Sequence, residues 1–171
     1  MAHVIVDTNV PAVANRKSEQ ASPTCVLTCI KKIREIQQEE YILVLDDQWQ
    51  ILSEYKSNLD ESGQPGVGDV FLKWTLTNWS NPNRCEMVKI TPHPVFSFTE
   101  FPQDEALYAF DLSDRKFVAV ALAHPQKPPV LNAVDTDWWH YHLILARYGI
   151  RIEFLCLDTM QGAEIISLQT I

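Results

Sequence analysis

Residues 4–10 read VIVDTNV and residues 130–139 read VLNAVDTDWW. Each is a short run of aliphatic residues that leads directly into an aspartate, Asp7 in the first and Asp135 in the second. Runs that are apolar on both faces have the pattern of strands buried inside a parallel sheet, not the alternation of a strand with one wet face. The segments 41–45 (YILVL), before Asp46 and Asp47, and 150–157 (IRIEFLCL), before Asp158, share the pattern, and 85–90 (CEMVKI) is a candidate extra edge strand.

Helical periodicity fills the intervals. Ser22 is placed to cap a helix with Pro23 at its first position, and Val26, Cys29, Ile30, Ile33 and Ile36 recur at three- and four-residue steps up to about Glu39. Further helices are expected over 48–59, over 69–79, from a cap at Ser113 to near Pro125, and over 137–148 before Gly149. Turn residues mark 60–68, and prolines mark 91–102, as loops. Strands alternating with helices imply an α/β fold, a central, mainly parallel sheet covered on both sides.

The 171 residues, 46% hydrophobic and 21% charged, suit a single domain over 1–171. No apolar run reaches the roughly 20 residues that span a bilayer, and Asp7 interrupts the one early apolar run, so neither a membrane segment nor a secretory signal is expected. A soluble, cytoplasmic protein is the resulting expectation. Cys25, Cys29, Cys85 and Cys156 form no CxxC pair and are read as packing thiols rather than a disulfide framework. His3, His93, His124, His140 and His142 show no zinc spacing and are read as structural or surface residues. A net charge of −8 argues against a broad basic surface for nucleic acid. That objection weakens if acids are gathered in one pocket and offset by divalent cations.

Ligands of open parallel sheets bind beyond the carboxyl ends of the strands. Asp7 and Asp135 both follow strands and so belong to one rim. Asp114, three and four residues before Phe117 and Val118, lies on the stripe its helix buries; it is either a helix cap or a ligand at the mouth of a site. Glu54 borders the apolar face of its helix beside Leu52 and Tyr55, and Asp135 and Asp137 straddle Thr136 in one turn. Carboxylates held this close repel unless a cation intervenes, and an all-oxygen set suits Mg²⁺ or Mn²⁺. A response-regulator receiver domain shares the architecture and is suggested by Asp46 and Asp47. It needs an acidic pair after the first strand, where only Asp7 stands.

Taken together, these motifs resemble the PIN domain family. VIVDTNV resembles its first strand followed by Asp, Thr and Asn at Asp7, Thr8 and Asn9; ILSEY carries its helical Glu at Glu54; SDRKFVAVALA carries its third acid at Asp114; and NAVDTDWW carries its last acidic turn at Asp135 and Asp137. GIRIEFLC resembles the closing strand, so the likeness runs nearly end to end. It departs in a longer region between Asp60 and Pro102, and in Trp138 where Phe is more usual. The resemblance implies a PIN-like three-layer sandwich and a Mg²⁺- or Mn²⁺-dependent endoribonuclease acting on single-stranded RNA. Metal would be held by Asp7, Asp114 and Asp135, with Glu54 completing or orienting the shell and Asp137 a further catalytic acid and ligand candidate. Asn9 would bond a carboxylate or substrate, and Arg115 and Lys116 would contact phosphate. A toxin restrained by a small inhibitory protein, a defence effector and an RNA-processing enzyme are the open roles, and a homodimer is common in the family. The alternative is a catalytically inactive PIN-like protein-binding subunit.

Overall fold

The structure, a computed structural model, describes residues 1–38 and 40–162. Glu39, the expected end of the first long helix, and the last nine positions of the expected 1–171 domain, 163–171, lie outside the described residues.

Five strands form one sheet: β1 (Ala2–Val6), β2 (Tyr41–Asp46), β3 (Cys85–Val88), β6 (Val130–Asn132) and β7 (Ile152–Phe154). Their order is β3-β2-β1-β6-β7 and every pairing is parallel. The candidate edge strand at 85–90 is thus real and pairs with β2, Leu43 opposite Cys85. The order also separates the fold from a receiver, whose sheet runs 2-1-3-4-5. Asp46, one of the two acids that suggested a receiver, accepts the backbone N–H groups of Gln48, Gln50 and Ile51 at 2.8–3.0 Å. Those bonds make it the anchor of the helix that follows.

From β1 the chain winds outward through α1 (Asn9–Ala14) and α2 (Pro23–Gln37) to β2, then through α3 (Gln50–Asn58) and α4 (Val67–Asn78) to β3. It then returns past β1 through α5 (Arg115–Ala123) to β6 and through α6 (Thr136–Arg147) to β7. Right-handed crossovers in opposite directions cover opposite faces of a sheet. α1, α2 and α4 accordingly pack on one another, while α5 lies against β2 and β6 and its Phe117 meets Trp138 of α6. A three-layer α/β sandwich results. Its core holds Ile5, Leu43, Leu45 and Leu131 from the strands and Ile33, Phe71 and Phe117 from the helices, none exposed beyond 1%.

Local chemistry sets the helix starts. Ser22 accepts the Cys25 N–H with Pro23 at the first helical position, as expected. α1 and α4 approach so closely at Gly68 that a Cβ there would lie 2.1 Å from the Pro11 carbonyl oxygen. Asn15 tightens that contact by accepting the Gly68 N–H at 2.7 Å and donating to Asp69.

Two expectations are corrected. The stretch 91–102 is not all loop, because β4 (Pro92–His93) and β5 (Ser97–Phe98) pair as a small antiparallel hairpin. Nor are all four cysteines thiols: Cys25 and Cys156 form a disulfide, with Cα atoms 5.2 Å apart, and Cys29 and Cys85 remain free and buried. The partners are separated by 131 positions, so no local spacing could reveal them. They meet because the start of α2 lies beside the turn that follows β7. Among the described residues no helix is long and apolar enough to cross a membrane.

Candidate metal centre

The order of the strands reverses between β1 and β6, and the crevice at such a switch point is where parallel sheets take ligands. Asp7 follows β1 there, and Asp135 follows β6 as the N-cap of α6, accepting the Asp137 N–H at 2.9 Å. Asp114 caps α5 by position, but its side chain makes no capping hydrogen bond. The helix-cap role weighed for it from sequence therefore lacks its defining contact. One carboxylate oxygen from each of Asp7, Asp114 and Asp135 lies within 4.8 Å of the others.

Each carboxylate is held by a neighbour. Asp7 Oδ1 accepts both the backbone N–H and the side-chain amide of Asn9, at 2.8 and 2.6 Å, and its Oδ2 accepts the indole N–H of Trp138 at 2.8 Å. Asn9 also donates to Asn132 Oδ1 and accepts the N–H of Ala133, which sews the end of β1 to the end of β6. Asn132 in turn donates to the Asp135 carbonyl. Asp137 stands outside the trio. Its Oδ2 accepts the Asp111 N–H at 3.0 Å and so fixes the turn that delivers Asp114, a turn already tightened by Ser113 donating to Asp111.

Burial dominates the electrostatics. It pushes the Asp7 carboxyl up to about 7, with the charges of Asp135 and Glu54 adding to it and the bonds from Asn9 and Trp138 opposing it. Burial, then Asp7, Asp135, Asp111 and Glu54, pushes Asp114 up to about 9. Asp135 is raised as well, by burial first and then by Asp137 and Asp111, against the Asp137 N–H and a side-chain bond with Asp114, which lower it. Asp114 Oδ2 is buried and has no hydrogen-bond partner. An orphaned buried carboxylate oxygen is costly, and one facing two further acids has the surroundings of a cation ligand. Oxygens sharing one Mg²⁺ lie roughly 3–4 Å apart, so small closures of the trio would suffice. The donor set, all carboxylate, suits Mg²⁺ or Mn²⁺.

The remaining expected site residues are placed differently. Glu54 accepts the Thr8 hydroxyl at 2.5 Å on Oε1 and the Lys116 ammonium on Oε2. Lys116, expected to face phosphate, is instead buried in that ion pair. Arg115, given the same role, is 3% exposed; its guanidinium bonds the carbonyls of Leu107 and Tyr108 and lies over the Phe101 ring. It clamps the segment carrying Phe101, Leu107 and Tyr108 onto α5. Sequence reasoning missed Thr8, Asn132 and the indole of Trp138 as parts of the centre. A buried Trp needs a partner for its N–H, and that was the available signal.

A second cluster, His3, Glu86 and His124, gathers at the amino ends of β1 and β3, opposite to the acids. His124 Nδ1 accepts the Gln126 N–H at 3.0 Å, and its buried Nε2, 3.4 Å from Glu86 Oε2, makes no hydrogen bond.

Compared with known proteins, the chain matches no protein-family model, no curated protein and no solved structure.

Proposed function

We propose that the chain is a PIN-type endoribonuclease that hydrolyses phosphodiester bonds of single-stranded RNA with Mg²⁺ or Mn²⁺ at Asp7, Asp114 and Asp135. The observation that carries the reading is the orphaned, buried Asp114 oxygen among two further raised carboxyls at the switch point of a parallel sheet. A divalent ion there supplies an activated water and positive charge against the phosphoryl oxygens. The chain's own residues fix where that chemistry occurs. Asn9 and Trp138 set the orientation of Asp7, Asp137 holds the turn that carries Asp114, and Asn132 braces the loop of Asp135. A cytoplasmic setting belongs to this proposal, as the place where RNA is met.

One observation favours the second reading, an inactive PIN-like protein-binding subunit. Arg115 and Lys116, the cations nearest the acids in sequence, are both committed internally. Incubation of the protein with mixed-sequence single-stranded RNA and Mn²⁺, with and without EDTA, separates the two. Cleavage that EDTA abolishes supports the nuclease; no cleavage with bound Mn²⁺ demonstrated supports the subunit.

A further inference from the structure

Three sulfurs meet where the start of α2 lies beside the turn that follows β7. Cys25 and Cys29 stand four residues apart on α2, a spacing that puts both on one helix face about 5–6 Å apart at Cβ, and Cys156 comes in from after β7. The Sγ atoms of all three lie within 4.8 Å of one another, and all three residues are buried. A disulfide uses two sulfurs, and Cys25 with Cys156 is that pair. Cys29 is the extra one. Among the described residues the other free thiol, Cys85, joins no such group, so a buried packing cysteine needs no sulfur neighbours.

Breaking the disulfide changes what the cluster can do. Burial pushes the Cys29 thiol up to about 12, so by itself it stays protonated and inert. A soft cation reverses that, because a coordinated thiol loses its proton outright. Sulfurs sharing one tetrahedral Zn²⁺ lie roughly 3.8 Å apart at a Zn–S distance of about 2.3 Å, within the spread of this trio. The fourth position has a space to face: Cys25 and Cys156 border a cavity of about 210 Å³ that Ser22, Thr28, Asp158 and Thr159 also line. A polar cavity of that size holds a water. Sulfur donors select zinc over the magnesium or manganese proposed for the acids.

We propose that the reduced chain binds one Zn²⁺ through Cys25, Cys29 and Cys156, and that disulfide and metal are mutually exclusive states of the same three sulfurs. A dithiol reductant breaks the Cys25–Cys156 bond, supplying two electrons and two protons and leaving as its own disulfide. Zn²⁺ then binds as the three thiols release their protons. A small-molecule disulfide reverses both steps: it takes up the two electrons and two protons, the Cys25–Cys156 bond forms again, Cys29 regains its proton and Zn²⁺ returns to solution. Either state ties α2 to the turn after β7, so the same joint holds in a reducing or an oxidising compartment.

Co²⁺ titration of the full chain, reduced with a phosphine under argon, tests this, because thiolate-to-cobalt charge transfer absorbs only where sulfur is a ligand. The reduced wild type should gain that band at one ion per chain, Zn²⁺ should displace it, and excess Mg²⁺ should leave it unchanged. The oxidised wild type should show no band. Cys29→Ser spares the disulfide and, when reduced, should bind Co²⁺ at least about 100-fold more weakly, since losing a group that merely orients a ligand already costs about 10–100-fold. Thermal melts are the second readout: Zn²⁺ should raise the melting temperature of the reduced wild type, or refold it, and do so more than for the oxidised protein. A reduced wild type without the band, an oxidised one with it, or a folded Cys29→Ser protein of undiminished affinity overturns the proposal. Should Cys29→Ser not fold, the wild type decides alone, because a reduced chain that Zn²⁺ stabilises no more than the oxidised one overturns it too.

Discussion

The indole N–H of Trp138 donates to Asp7 Oδ2 across 2.8 Å, joining the last acidic turn of the chain to the first over 131 positions of sequence. Trp138 is completely buried, with Phe110 and Phe117 packed edge-on against it. Its ring is part of the core and its N–H is part of the site. Trp138→Phe keeps most of the packing and removes the donor. Mn²⁺ affinity should fall about 10–100-fold, the usual cost of losing a group that orients a metal ligand. Calorimetry on the folded variant measures it, and an unchanged affinity would mean that the bond does not orient Asp7 for an ion.

Proton linkage gives a signed expectation. Asp7 and Asp114 are raised from 3.8 to about 7 and about 9, and Asp135 is raised too, so the folded state keeps protons that the unfolded chain has released. The stability these groups contribute is complete below the unfolded value and is lost as pH rises through the folded values. The melting temperature of the metal-free protein should therefore fall by several degrees between about pH 5 and about pH 9, and Asp114→Asn should flatten that slope. Mn²⁺ displaces the same protons, so its affinity should increase across this window. A metal-free stability that climbs with pH, in a protein where Asp114→Asn changes nothing, contradicts the burial of these carboxyls.

Arg115 offers a test of where its charge is spent. Its two carbonyl bonds and its contact with Phe101 tie the segment around Leu107 and Tyr108 to α5. Arg115→Ala should cost about 2–4 kcal/mol of stability. Hydrogen exchange should quicken around the β4–β5 hairpin and through residues 105–110. A variant of wild-type stability and exchange whose only defect is salt-dependent RNA binding would return Arg115 to the phosphate-contact role.

The disulfide pins the start of α2 to the turn that follows β7. Reduction, or Cys25→Ser with Cys156→Ser, should lower stability by about 2–5 kcal/mol without loss of the sheet. Thermal melts with and without reductant measure this, and a melting temperature indifferent to reductant would show that the pair is not bonded in solution.

Much of the framework was legible in sequence because it depends on local pattern. Apolar runs ending at Asp7 and Asp135 marked parallel strands, and the spacing after Pro23 marked α2, since burial on two faces and burial on one stripe leave different periodicities. The acids that would share a rim followed from strand ends alone. What stayed hidden depends on contacts across the chain. The Cys25–Cys156 bond, the indole of Trp138 on Asp7, and the capture of Lys116 by Glu54 join residues that no window of sequence holds together. Arg115 and Lys116 read as phosphate contacts because they stand beside Asp114 in sequence. Here the segment carrying Phe101, Leu107 and Tyr108 covers one and Glu54 captures the other.

The most direct measurement is cleavage of single-stranded RNA by wild type, Asp7→Asn and Asp135→Asn, purified side by side and assayed with Mn²⁺, Mg²⁺ or EDTA. Cleavage should occur with either ion, stop with EDTA, and fall at least about 100-fold in both folded variants, because each loses a carboxylate of the trio. Cleavage that persists in EDTA or in both variants contradicts a metal-dependent site at Asp7, Asp114 and Asp135.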